Sequence, residues 1–161
     1  AGEYFVADLM LSADIFNQVM EILGPSIREA TKGNSQGKIL IATVEDDIHD
    51  IGKNLVASML KANGFDVIDL GVNQPPAAIC EGAKEHKPDI VALSCILTSS
   101  IDAMERTIKA LKEEGLNVKT IIGGTPINGK VAEVVGADTF GLDAYDAVVQ
   151  CKKLMGGEVN A

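Results

Sequence analysis

The sequence predicts an α/β fold, a doubly wound parallel sheet of about five strands preceded by a short helical segment. Three observations lead there. Beyond residue 37, short apolar runs alternate with amphipathic stretches in a strand, turn, helix cadence. The first run, Lys38 to Val44, is apolar almost throughout, as a strand covered on both faces must be. Glycines stand where helices should stop, at Gly64 and Gly115.

Taken in order, Phe5, Leu9, Phe16, Met20, Leu23 and Ile27 recur at spacings of three, four or seven, which predicts one amphipathic helix or two between Glu3 and Ala30. Pro25 is expected to kink or divide them. The polar, glycine-bearing stretch Thr31 to Gly37 reads as a linker, giving a helical segment at 1–33, a joint at 34–37 and a main domain at 38–161. In that domain the strand Lys38–Val44 leads to a helix Ile51–Asn63, and Phe65–Leu70 to a helix Pro76–Glu85. Asp89–Ser94 then leads to Ile101–Glu114, Val118–Ile122 to Ala132–Val135, and Asp138–Phe140 to Tyr145–Leu154.

Alternation of this kind implies right-handed crossovers. The expected order is 2-1-3-4-5, the flavodoxin-like Rossmann arrangement, whose ligands sit beyond the carboxyl ends of the strands, between strands one and three. Three loops therefore matter most: Glu45–Ile51, Cys95–Ser100 and Gly123–Asn128.

Composition removes several function classes. With 23 acidic against 14 basic side chains the net charge is −9, which argues against a surface that neutralises nucleic-acid phosphates. The chain has no Trp, two Tyr and four Phe, too few for a base-stacking platform. Cys80, Cys95 and Cys151 lie far apart without a Cys-x-x-Cys pair, so neither a zinc site nor a disulfide framework is indicated, and a reducing cytoplasmic setting fits. No apolar run reaches the ~20 residues that span a bilayer, and no secretory signal pattern is present, so no membrane partner is expected.

The first loop reads Glu45-Asp46-Asp47-Ile48-His49-Asp50-Ile51-Gly52-Lys53, four carboxylates around one imidazole. It carries no Gly-x-Gly-x-x-Gly cradle, and Gly52-Lys53 lacks the flanking residues of a P-loop. A phosphoacceptor receiver domain needs an Asp at the end of strand three, where Ser94 stands. Glu45, Asp47 and Asp50 suit a hard divalent ion. His49 argues for a softer metal.

Asp47-x-His49-x-x-Gly52, then Ser94-x-Ile96-Leu97-Thr98, then Gly123-Gly124, one motif on each of the three loops, resembles the signature of cobalamin-binding domains. The resemblance covers the chain from Lys38 onward. It is strongest to the corrinoid proteins of methyltransferase systems, including cobalamin-dependent methionine synthase and the methylamine, methanol and aryl-ether O-demethylase carriers. Residues 1–33 resemble the end of the helical cap of such proteins, with its first helices missing. Two positions depart from the pattern: Ile96 replaces the usual leucine, and Asp46 stands where close members often carry glycine.

The resemblance implies a role for each residue. His49 would coordinate the cobalt of cobalamin in place of the cofactor's own dimethylbenzimidazole, the base-off, His-on state, since neutral imidazole suits such an ion. Asp47 would accept a hydrogen bond from the other ring nitrogen, and Ser94 would bond Asp47 in turn. Gly52, Gly123 and Gly124 would let the nucleotide tail approach backbone. Thr98 would bond the tail or corrin rim, and Asp143 and Ala144 would close the slot. Asp46, Ile48, Asp50, Ile96 and Leu97 complete the expected cofactor contacts.

The implied function is a methyl carrier without catalytic residues of its own, a non-autonomous corrinoid subunit that shuttles a methyl group. Its expected partners are a substrate-specific methyltransferase, an acceptor methyltransferase of tetrahydrofolate or thiol type, and a reductive activator. Other readings are the cobalamin domain of a radical mutase, a corrinoid-dependent regulatory module, or an apo module that only mediates protein contacts. A truncated cap would leave Phe5, Leu9, Phe16 and Met20 short of cover, and a homodimer through the N-terminal helices is the expected result.

Overall fold

A computed structural model describes residues 6–30 and 35–157. Helix α1 (Val6–Ala30) comes first. Five strand and helix pairs follow: β1 (Lys38–Thr43) and α2 (Ile51–Ala62), β2 (Asp66–Asp69) and α3 (Pro76–His86), β3 (Ile90–Ser94) and α4 (Ile101–Glu113), β4 (Lys119–Gly123) and α5 (Gly129–Val135), β5 (Thr139–Gly141) and α6 (Ala144–Leu154). All strands are parallel, in the order β2-β1-β3-β4-β5. The doubly wound sheet is thus as the sequence predicts.

Successive side chains of a strand point to opposite faces, and the core divides accordingly. Ile39 and Ile41 of β1, with Ile90 and Ala92 of β3, pack beneath α2 and α6 through Ala57, Leu60, Val148 and Cys151. Leu40, Ala42, Val91 and Leu93 face the other way, onto α3 and α4 through Ile79, Met104, Ile108 and Leu111. Burial on both faces explains the lack of apolar alternation in β1.

Two boundaries differ from expectation for local reasons. Helix α5 starts three residues before Ala132 because Asn128 caps it, its side-chain oxygen accepting from the amides of Lys130 at 3.0 Å and Val131 at 3.2 Å. Pro25 lies inside α1 and does not divide it. Helix α1 packs along α2 and exposes Leu11, Ile15, Val19 and Ile22. Phe5 and residues 31–34 lie outside the described residues, as do the side chains of Leu9, Phe16 and Met20. From Gln36 the chain already bonds to the main domain, through Gln36 N–H to Gly64 C=O at 3.0 Å.

At the carboxyl edge of the sheet the loops after β3 and β4 touch. Cys95 N–H donates to Gly123 C=O at 3.0 Å, and Gly124 adopts φ +130°. A Cβ on Gly124 would fall 1.7 Å from the Cys95 carbonyl oxygen. Glycine is therefore required here by the fold itself. Gly124→Ala should cost about 3 kcal/mol or more in urea unfolding, because the clash is with backbone and the dihedral is strained. A midpoint close to wild type would show that the two loops can part freely.

Candidate functional site

The carboxylate of Asp47 organises the site. It is fully buried and accepts four hydrogen bonds. Its Oδ1 takes the His49 amide at 3.0 Å and His49 Nδ1 at 2.7 Å. Its Oδ2 takes the amides of Ile96 at 2.6 Å and Leu97 at 3.0 Å. Burial alone would raise its pKa, but the amides of His49, Leu97 and Ile96 and the His49 ring outweigh that and lower it from 3.8 to about 2. Asp47 is thus ionised at neutral pH and can only accept, so Nδ1 carries the proton. Nε2 meets no protein partner among the described residues and belongs to a ring that is 46% exposed.

Neighbouring loops hold this pair in place. The carbonyl of His49 accepts from the buried Thr43 hydroxyl at 2.9 Å. Asn73, in the loop after β2, accepts from the Asp46 amide through Oδ1 at 2.9 Å and donates its own amide to Asp47 C=O at 2.9 Å. Asp46 has φ +65° and Asn73 φ +52°, both in the left-handed region. That explains why glycine would be at ease at position 46. An Asp there accepts a strain of about 1 kcal/mol. Glu45 is held by Arg106 of α4 at 3.0 Å, and Arg106 also binds Asp102 at 2.9 Å.

The remaining candidates sort themselves by environment. Ser94 is half-buried and does not bond Asp47; the amides of Ile96 and Leu97 take the place expected for its hydroxyl, because the turn after β3 aims two N–H groups at the carboxylate. Thr98 opens a 3-10 turn and is exposed. Asp143 caps α6, accepting from the Asp146 amide at 2.8 Å, with Ala144 as the first helical residue. Among the three glycines, Gly52 faces open space where a Cβ would be, and Gly123 meets only ordinary contact with Gly141 C=O at 3.7 Å. Asp50 bonds Asn54 Nδ2 at 3.2 Å. Ile48, Ile96, Leu97, Leu142 and Tyr145 are exposed along the same edge.

The hard-ion alternative has no ligand set. Among the described residues no three His, Cys, Asp or Glu side chains come together, since Asp47, Glu45 and Asp50 each have other partners. The thiols are not nucleophiles. Burial, aided by the nearby Asp47 charge, pushes Cys95 up to about 11, and burial pushes Cys151 up to about 12.

Sequence reasoning missed Asn73, Thr43 and Ser100. Ser100 Oγ is the one buried side-chain polar atom without a partner among the described residues, and it ends the loop whose amides hold Asp47. A buried hydroxyl left open, a glycine facing space, a free Nε2 and an apolar rim together fit a large, largely apolar group bound through a single imidazole.

The fold and this edge therefore define a doubly wound domain that binds a metal-centred organic cofactor. The profile of the B12 binding domain matches residues 37–149, and the chain belongs to that family; its cofactor is a corrinoid. Dimethylamine corrinoid protein 1 of Methanosarcina acetivorans is 38% identical over 156 residues, covering 96% of this chain and 73% of the relative. A cobalamin-binding protein from Desulfitobacterium hafniense superimposes with a TM-score of 0.75 at 44% identity, over 95% of this chain and 72% of that one. The methanol:cobalamin methyltransferase complex MtaBC of Methanosarcina barkeri matches with a TM-score of 0.74 at 26% identity, over 99% of this chain and 61% of that one.

Because the folded pKa of Asp47 lies below 3.8, its ionised form stabilises the fold above about pH 4, and that contribution fades as pH falls through about 2. Asp47→Asn should be less stable than wild type by about 2 kcal/mol at pH 7, the gap narrowing below pH 4. Urea unfolding at several pH values measures it, and a gap that ignores pH would break the assignment.

Proposed function

We propose that the chain is a corrinoid methyl carrier that binds cobalamin base-off, with His49 Nε2 as the lower cobalt ligand. The observation that carries this reading is the Asp47–His49 pair, which fixes one tautomer and leaves one lone pair free on an exposed edge. When bound, cobalt supplies the nucleophile that takes up and gives up a methyl group. The protein's own contribution is to hold and orient. Asp47 keeps the proton on Nδ1 and raises the basicity of Nε2. Gly52 leaves room for a tail beside α2, and the Ser100 hydroxyl offers a buried hydrogen bond to the incoming group. Ile48, Leu97, Leu142 and Tyr145 offer apolar contact to a macrocycle.

The corrinoid relatives named for dimethylamine and methanol support a methyltransferase partner rather than a radical mutase. The reading extends to a substrate-specific methyltransferase, an acceptor of tetrahydrofolate or thiol type, and a reductive activator. It includes the O-demethylase carriers as one setting. Among the described residues no helix is long and apolar enough to cross a membrane.

Hydroxocobalamin mixed with the protein should stay bound through desalting and give a histidine-ligated spectrum. His49→Ala should keep its far-UV circular dichroism but lose that spectrum and bind more weakly, by about 10- to 100-fold. A mutant spectrum identical to wild type would remove His49 from the role.

The exposed stripe Leu11, Ile15, Val19 and Ile22 supports pairing of two copies through α1. Light scattering should show a dimer that Leu11→Glu with Ile15→Glu converts to monomer. A wild-type protein that stays monomeric at every concentration would rule the pairing out.

A further inference from the structure

Helix α2 begins two residues after His49, yet its first turn is poorly secured by its own residues. Asp50 occupies the cap position without a side-chain capping bond, no acid stands in the first turn, and Gly52 sits within it. Lys53 adds a cation at the positive end of the helix, where the macrodipole disfavours it. It is also the one buried cation among the described residues, with a side chain only 2% exposed. Burial and the dipole both oppose that charge, so something specific must hold it there.

The partners are Asp69, which pairs with Lys53 Nζ, and Asn54, whose Oδ1 accepts from Nζ at 2.8 Å. Asp69 ends β2, and its other oxygen accepts from the Gly71 amide at 2.8 Å. Asn54 in turn reaches back to Asp50, amide to carbonyl at 2.7 Å and Nδ2 to Oδ2 at 3.2 Å. A continuous path therefore runs from the end of β2, through Lys53 and Asn54, to the residue beside His49. It enters the loop from the side opposite the β3 turn that holds Asp47.

We propose that Lys53 and Asp69 form a positioning pair that pins the first turn of α2 to the end of β2 and so fixes His49 against Asp47. Buried ion pairs add little net stability but can enforce one arrangement of the chain, which is the function assigned to this one. The inference rests on His49 as the cofactor's ligand, and its test separates the two ideas.

Lys53→Met keeps the length of the side chain and removes the charge; Asp69→Asn keeps the shape of its partner. In the cofactor-free full chain, the His49 Nδ1–H proton resonance reports on its bond to Asp47. In both variants its exchange with water should quicken by about tenfold, while circular dichroism and a cooperative melt are retained. With hydroxocobalamin bound, the histidine-ligated fraction should fall, and Lys53→Met with Asp69→Asn together should be no worse than the more damaging single change. Unaltered Nδ1–H exchange in a folded variant overturns the proposal. Loss of the cooperative melt in Lys53→Met also overturns it, by making the pair a general stabiliser of the domain. A wild-type protein that takes up no cobalamin defeats the ligand reading alone, since the exchange measurement needs no cofactor.

Discussion

The buried carboxylate of Asp47 is the constraint on which the site depends. A charge taken wholly out of water is costly unless every lone pair is met, and four N–H groups meet this one. Two of them come from the loop after β3, so the carboxylate joins the two loops flanking the switch point of the sheet. The geometry of the imidazole follows from the same atoms. Further out, the bare Cα of Gly124 admits the Cys95 carbonyl, which sets the path of the chain into the Ile96 and Leu97 amides. A requirement at the end of β4 thus reaches His49 through backbone contacts alone.

The fold was legible because its causes are local and repetitive. Apolar runs of strand length alternate with helical stretches, Gly64 and Gly115 mark two of the stops, and burial on both faces of the sheet leaves no other use for a run such as Lys38 to Val44. The contact between Asp47 and His49 was legible because a single residue separates imidazole and carboxylate within one turn. The partners of Asp47 Oδ2 were not, since they are main-chain amides that any residue but proline would supply. Ser94 drew notice because it has a side chain to offer, whereas the groups that reach the carboxylate belong to the next turn. Asp69, at the end of β2, and Asn73, in the loop after it, escaped because that strand lies outside the switch point, and no local pattern announces a contact that only the sheet order creates. Lys53 was visible only as the remnant of a phosphate loop, while its burial is a tertiary fact.

The two edges of the sheet are built differently, and the contrast locates the function. At the amino edge, polar groups serve closure: Asp89 accepts from the Lys38 amide at 2.8 Å, and Asp138 from the Thr120 amide at 2.7 Å. At the carboxyl edge the usual distribution is inverted. Asp47, Lys53 and Ser100 are buried, and Ile48, Leu142 and Tyr145 are exposed. Buried polar groups and exposed large apolar ones are each the informative departures from ordinary folding, and left-handed Asp46 and Asn73 add strain at the same place. The polar groups inside hold one imidazole in one orientation, and the apolar groups outside would gain from cover. An edge with both properties suits a receptor for a large apolar group that offers one strong ligand position, and on the proposed reading that group would supply what the chain leaves unmet: contact for the rim, an acceptor or donor for Ser100, and a metal for Nε2.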